Sequence, residues 1–293
     1  MTQFIQQLVI GLADGTIFAI LGLALVVVHR VTGTINFAQG EMATLSAFVA
    51  WTVITRSGWP YPLAFVFALV VSFLLGAALH STLVRPVVKR GGLELILLTV
   101  GLFYLINGVC GLIWGYSTRS FPSPFDNRPV DVLGVYLPQR QIAILAIAIV
   151  LVLLCAAFFR LTNFGLAMRA AALQPTESGL LGISVFKVQV VGWGIAASIG
   201  AVAGILVAPV QVLEPNMLQP PLLFAFAAVV LGGTDSMLGS VVGGLLVGVI
   251  VNFANYLMPN LQTLNAVIAF GVIVAVLYVK PNGLFGRPVA HRA

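Results

Sequence analysis

Residues 141–159 read QIAILAIAIVLVLLCAAFF, nineteen positions without one charged side chain. A helix needs about 20 predominantly apolar residues to cross a hydrocarbon core ~30 Å thick. The run lacks the apolar/polar alternation of a barrel strand, and backbone groups in lipid must pair within their own segment, so it predicts a transmembrane helix. Eight further apolar runs accompany it, at 4–28, 36–55, 62–84, 93–115, 188–210, 222–237, 239–257 and 264–280. The seventh and eighth in chain order are parted only by Gly232-Gly233-Thr234-Asp235-Ser236 and its neighbours, which fits either two short helices or one broken element. Of all 293 residues 60% are apolar and 8% charged, with a mean hydropathy of +1.10. Soluble domains carry about 25% charged residues. The fold expected is an all-α integral membrane protein, a polytopic bundle of eight to nine transmembrane helices, some discontinuous, forming one domain over 1–293.

The net charge of +6 does not mark a nucleic-acid binder, because the basic residues sit in short connections between apolar runs, where positive charge sets topology. His29 and Arg30 follow the first run; Arg85, Lys89 and Arg90 the third; Arg160, Arg169 and Lys187 the fifth; Lys280, Arg287 and Arg292 the last. With nine spans these fall on one side. The opposite side holds Arg56, then Arg119, Arg128 and Arg140 offset by Asp126 and Asp131, and lastly Glu214. The N-terminus is therefore expected outside and the C-terminus in the cytoplasm. No Lys or Arg precedes the first run, so it reads as a span and not as a cleaved signal. Cys110 and Cys155 lie inside apolar runs, where the default is a small apolar role.

Catalytic chemistry is absent from the pattern. A phosphate-binding loop needs Gly-Lys followed by Ser or Thr, whereas Lys89, Lys187 and Lys280 precede Arg90, Val188 and Pro281. Three scattered histidines and two apolar-run cysteines form no metal set, so neither an enzyme nor a cofactor is expected. Ionisable groups inside spans are functional candidates in a membrane protein, and Asp14, Glu41, Glu94 and Asp235 are the positions to weigh. Glu94 reads as interfacial beside Gly91-Gly92. Asp14 lies mid-span and must face protein or water. The most informative stretch is TGTINFAQGEMATLSAF, residues 32–48, where Asn36, Gln39 and Glu41 stand with Gly33 and Gly40 in place of lipid-facing leucines. Helices that start inside a membrane need polar caps and glycine, and such broken helices line transport paths. The same residues also fit an interfacial cap, with Asn36 as N-cap and Gln39 at the third position.

Residues 160–187, RLTNFGLAMRAAALQPTESGLLGISVFK, are too polar to span and too apolar for a plain linker. Helix is expected from Asn163 to Leu173, with Phe164, Met168 and Ala171 at helical spacing. A second turn opens on Pro175, with Glu177 near its positive end and Gly182 as its stop. Such an amphipathic pair offers a surface to a soluble partner; it fits a helix lying on lipid headgroups as well. The pairs Gly11/Gly15, Gly200/Gly204, Gly239/Gly243 and Gly244/Gly248 allow close helix approach, which ordinary bundle packing also uses.

INFAQGE at 35–41 resembles the opening of the second helix in permeases of the branched-chain amino-acid ABC transporter family, the LivH type. LVRPVVKRGG (83–92), RAAALQPTESGLLGI (169–183), VVLGGTDSMLGSVVGGLLVG (229–248) and KPNGLFGR (280–287) resemble other parts of that family in the same order, so the likeness covers essentially the whole chain. It implies an inner-membrane importer subunit forming half a pore. Its implied partners are a second, LivM-like permease, cytoplasmic ATP-binding subunits and a periplasmic solute-binding protein. Branched-chain or other small amino acids are the implied cargo, with urea or short amides as the alternative. Asn36, Gln39, Glu41 and Asp14 are thus the candidates for the path, and on this likeness Arg169, Glu177 and Gly182 are candidates for ATPase coupling. A gradient-driven carrier would be expected to hold more ionisable groups within its spans and inverted repeats.

Overall fold

The computed structural model describes residues 2–88, 90–125, 129–132, 135–258, 265–280 and 283–286. In chain order these form α1 (Thr2–Thr32), α2 (Gln39–Ser57) and α3 (Tyr61–Leu79), which continues through a π-helical turn (His80–Val84) into α4 (Arg85–Val88). Next come α5 (Gly92–Trp114), the strands β1 (Pro129–Val132) and β2 (Val135–Pro138), α6 (Gln139–Leu161), α7 (Asn163–Leu173) and α8 (Pro175–Leu180). The chain closes with α9 (Val185–Gln211), α10 (Gln219–Gly232), α11 (Met237–Leu257) and α12 (Asn265–Val279). Each of the nine apolar runs holds one of these helices. Lys89, Asp126, Arg128, Arg287 and Arg292 lie outside the described residues.

Among the described residues, six helical stretches are long and apolar enough to cross a bilayer: Gln3–Thr32, Tyr61–Val88, Gly92–Trp114, Gln139–Leu161, Val185–Gln211 and Met237–Leu257. The remaining three runs depart from that pattern among the described residues. α2 opens on Gln39, Gly40 and Glu41, and α10 has 14 residues and α12 has 15. At 1.5 Å per residue, 14 residues reach only about 21 Å. The seventh run, expected to extend to 237, stops at Gly232 because Gly233 takes φ 102° and the chain turns back at once. A Cβ added at Gly232 would lie 2.0 Å from the Gly239 carbonyl oxygen, so the corner closes only with glycine on both sides. α10 and α11 are thus two helices.

Two compact units share the chain. The first gathers residues 1–26, 125–149 and 220–293. In it α1 packs on α11 through the predicted glycine pairs: a Cβ at Gly15 would lie 2.8 Å from the Gly244 oxygen, and one at Gly248 would lie 2.3 Å from the Gly15 Cα. The Asn252 amide donates to the Gln7 backbone oxygen (2.6 Å) and to its side-chain oxygen (3.0 Å), closing this seam. β1 and β2 form an antiparallel hairpin in the register Pro129–Pro138 to Val132–Val135. Past α12, the Leu284 and Phe285 N–H groups donate to the Leu231 and Gly232 oxygens at 2.8 and 3.0 Å. The tail thereby satisfies carbonyls that the end of α10 leaves unpaired.

The second unit gathers residues 27–124 and 150–219, with α9 at its centre. Gly76 lets α3 close on α9, where a Cβ would lie 2.4 Å from the Trp193 oxygen. The Ser198 hydroxyl donates to the Leu69 oxygen (3.1 Å), and the Ser72 hydroxyl to that of Ser46 (2.5 Å), tying α3 to α9 and to α2. One end of this unit brings together the ends of α1 and α3–α4, α7 and the start of α9, which carry described basic residues after the first, third and fifth runs. Arg85 lies over the Phe186 ring at 4.4 Å, and Gly192 on α9 is met by both Val31 and Met168. His80 is fully buried within the continuous α3–α4 helix, between Phe186 and Trp193.

Candidate translocation site

α1 ends at Thr32, where Gly33 takes φ 74° and its N–H closes on the His29 oxygen at 2.7 Å. That left-handed residue releases the chain from the helix, and the next helical residue is Gln39. The depth at which α2 begins can be read along α9. The Gln189 amide donates to the Val31 oxygen in the last turn of α1 at 3.0 Å, and the Gln39 amide donates to the Ala196 oxygen at 2.9 Å. Gln189 and Ala196 are about 10 Å apart along the axis, and Ala196 lies about 16 Å inside the start of a helix about 40 Å long. α2 therefore starts in the middle depth of its unit, reached by six non-helical residues.

Glycines on α9 make room for that start. A Cβ at Gly200 would lie 2.5 Å from the Gln39 Nε2, and one at Gly204 would lie 2.4 Å from the Ala43 oxygen. Asn36, Gln39 and Thr44 are fully buried and Glu41 is 2% exposed. The Asn36 Oδ1 accepts from the Ala38 N–H (3.0 Å), while its Nδ2 donates to the Gln39 Oε1 (3.3 Å) and reaches the Met42 Sδ (3.5 Å). The cap is not the predicted one. Ala38 occupies the N-cap without a side-chain bond, and Asn36 holds the turn two residues earlier because the chain is still climbing there.

Glu41 stands in the first turn of α2, where the positive end of the helix favours a carboxylate. Its partners come from elsewhere in the same unit. The Asn107 Nδ2 on α5 donates to the Glu41 Oε2 (3.2 Å), and also faces the Pro215 oxygen (3.3 Å) and the Asn216 Oδ1 (2.9 Å). Tyr116 donates its hydroxyl to the Asn107 Oδ1 (3.2 Å), and the Gln219 amide donates to the Asn216 Oδ1 (2.9 Å). Asn216 and Gln219 are exposed and Asn107 is half-buried. The cluster thus runs from a buried carboxyl to the surface. Sequence reasoning missed Asn107, Tyr116, Asn216 and Gln219, although two signals were present: an amide in the apolar stretch GLFYLINGVCGL, and Glu214, Asn216 and Gln219 spaced along one connection between two apolar runs.

Asp14 belongs to the first unit, where it is exposed on α1 beside the Gly15 contact with α11. The 160–187 segment folds as the spacing predicts. The Thr162 hydroxyl caps α7 by accepting from the Gly165 N–H (3.0 Å), Gly165, Met168 and Ala171 face inward, and Pro175 opens α8. Phe164, predicted on that inward face, is only half-buried, because Gly165 takes the close contact against the Phe158 and Phe159 carbonyl oxygens. Gly182 ends the second turn at φ 84°. Arg169, Glu177 and Gly182 are all exposed, and Leu166, Leu173, Leu180 and Leu181 are exposed with them.

The sequence profile described as "Branched-chain amino acid transport system / permease component" matches residues 7–277. The chain is 28% identical to the high-affinity branched-chain amino acid transport system permease protein LivH of Escherichia coli, across 99% of this chain and 97% of that protein. It is 27% identical to the xylose/arabinose import permease protein XylH of Sulfolobus acidocaldarius, across 84% and 69%. Among solved structures, PsaBC from Streptococcus pneumoniae in complex with Fab shares the fold at a TM-score of 0.50 and 11% identity, covering 93% and 91% of the two chains.

Proposed function

Because the chain belongs to the family of permease components of branched-chain amino-acid transport systems, we propose that it forms half of the translocation pore of a bacterial inner-membrane ABC importer for branched-chain or other small amino acids. The observation that carries this reading is the start of α2 inside its unit, with Asn36, Gln39 and Glu41 buried around it. A charged side chain at a bilayer centre costs about 2.5–3.5 kcal/mol on insertion scales, and a polar wall at that depth suits a solute path. Asn36, Gln39, Glu41 and Asp14 are assigned to the path. The chain itself performs no catalysis; ATP is hydrolysed on separate subunits. Arg169, Glu177 and Gly182 on the α7–α8 surface couple to them, which accounts for leucines exposed beside charges at the basic end of the second unit. The remaining partners are a LivM-like second permease and a periplasmic solute-binding protein. The whole chain acts as one permease domain, N-terminus periplasmic and C-terminus cytoplasmic.

The test is Glu41→Gln in the assembled transporter. If the carboxyl only braces a helix start, the amide retains much of the hydrogen bonding and transport persists. If it faces the path, transport falls or changes selectivity while the amount of assembled complex is unchanged. Cysteines at 36, 39 and 41 in a Cys110→Ala, Cys155→Ala background should give at least one site labelled by small water-soluble thiol reagents, at a rate that responds to ATP. Three sites unlabelled in every state would end the assignment.

A further inference from the structure

Three oxygens surround one nitrogen in the second unit. The Asn107 Nδ2 has the Asn216 Oδ1 at 2.9 Å, the Glu41 Oε2 at 3.2 Å and the Pro215 oxygen at 3.3 Å. A carboxamide nitrogen carries two hydrogens, so it cannot serve three acceptors fully. Its orientation is fixed from the other end, where the Tyr116 hydroxyl donates to the Asn107 Oδ1 at 3.2 Å. Three acceptors at 2.9–3.3 Å, one of them a carboxyl oxygen on a residue 2% exposed, match the demand of a primary ammonium, which has three hydrogens and one positive charge. Asn216 and Gln219, at the outer side of the cluster, are exposed and leave it open to a solute.

We infer that the Glu41 Oε2, the Asn216 Oδ1 and the Pro215 oxygen form a subsite for the ammonium group of the transported solute, at the position that the Asn107 amide nitrogen holds in this structure. The inference rests on the path reading above and narrows it. An amino acid gains three charge-assisted bonds on displacing Asn107, which swings toward Tyr116. Urea, a short amide or a sugar has no positive charge to exchange and gains nothing over the amide already there. Asn107 is thus a positioning residue that keeps the three acceptors apart and hydrogen-bonded.

The test places cysteine at Gln219, exposed at the outer side of the cluster and not one of the three acceptors, in a Cys110→Ala, Cys155→Ala background, in the complete transporter in lipid nanodiscs. Rates of labelling by an ethylammonium and an ethylsulfonate methanethiosulfonate are each normalised to reaction with a small free thiol. The ammonium reagent is expected to be faster by roughly tenfold or more, as a focused field of one sign gives, and Glu41→Gln should bring the ratio to about one. Leucine should slow labelling, whereas its 2-hydroxy analogue, lacking only the ammonium, should not. Equal normalised rates with Glu41 present, a preference that survives Glu41→Gln, or equal effects of the two solutes would overturn the ammonium subsite and leave the path intact. No labelling at 219 by either reagent would remove the path reading and the subsite together.

Discussion

Alanine at Gly200 and at Gly204 separates two kinds of close contact on one face of α9. At Gly204 the new methyl would lie 2.4 Å from the Ala43 backbone oxygen, which cannot swing aside, so α2 must move off α9. Overpacking of a filled interior costs about 1–3 kcal/mol. At Gly200 the methyl would lie 2.5 Å from the Gln39 Nε2, the far end of a side chain that can retract. Retraction gives up the 2.9 Å bond to the Ala196 oxygen and takes the Gln39 Oε1 away from Asn36. A net hydrogen bond contributes about 1 kcal/mol and a stranded buried polar group costs about 1–3 kcal/mol. The two single variants therefore cost similar amounts for different reasons. Adding Gln39→Ala distinguishes them. It should cost little more in the Gly200→Ala background, where the bond is already lost and the clash is relieved, giving a coupling of about 1 kcal/mol or more. In the Gly204→Ala background its cost should be close to additive.

The assay is the half-life of the monodisperse complex at one elevated temperature, read by size exclusion. If the α2–α9 seam opens before the rate-limiting step, 1–3 kcal/mol shortens the half-life by roughly 5- to 150-fold. The reasoning is refuted if Gly204→Ala survives as long as the parent. It is refuted equally if Gln39→Ala rescues Gly204→Ala and not Gly200→Ala.

Two further outcomes are expected. Arg169→Glu or Glu177→Lys should uncouple transport and weaken ATPase association without loss of the inserted chain, because both side chains are exposed and no packing depends on them; normal transport and normal association in both would return α7–α8 to the headgroup-lying alternative, for which Glu177→Lys favours anionic lipid. Ending the chain at Lys280 removes the Leu284 and Phe285 N–H groups from the Leu231 and Gly232 oxygens, two bonds at about 1 kcal/mol each; the thermal half-life should drop severalfold, and an unchanged half-life would mean that the tail does not hold the end of α10.

Most of the helices were legible because lipid leaves the sequence little choice: long apolar runs bounded by charge or glycine admit one structure. The glycine pairs were legible as well, since small residues at i and i+4 leave a flat stripe on any helix, and the structure supplies the partner of each stripe. What stayed hidden was of two kinds. The depth of the α2 start depends on which residue of α9 the Gln39 amide meets, 157 positions away. No local pattern encodes that distance. The amide cluster escaped because a search for intramembrane charge passes over asparagine and glutamine, whose insertion cost is smaller than that of an acid. Asn107 was visible as an oddity inside GLFYLINGVCGL, but its meaning came only with Pro215 and Asn216, brought to it from beyond α9.

The same geometry divides the three polar residues at the head of α2, which the sequence presents as one group. A helix beginning away from water leaves its first N–H groups without partners, and each must find one inside the protein. Asn36 answers that need at the Ala38 N–H, and Gln39 braces the turn that Asn36 holds. Asn36 uses its oxygen on the Ala38 N–H and its nitrogen on the Gln39 Oε1, and Gln39 uses its own nitrogen to fasten the turn to α9. Replacing either should loosen the entry of α2 before it touches selectivity. Glu41 has no such duty: the hydrogen bonds drawn to its carboxyl come from Asn107 on α5 and from Gln219, not from its own turn. A carboxyl placed at that depth, supported by the helix's positive end yet not needed to cap it, is the member of the trio whose presence packing does not explain. On physical grounds the burden of solute recognition in this stretch falls on Glu41 and the amides facing it, and that of building the site falls on Asn36 and Gln39.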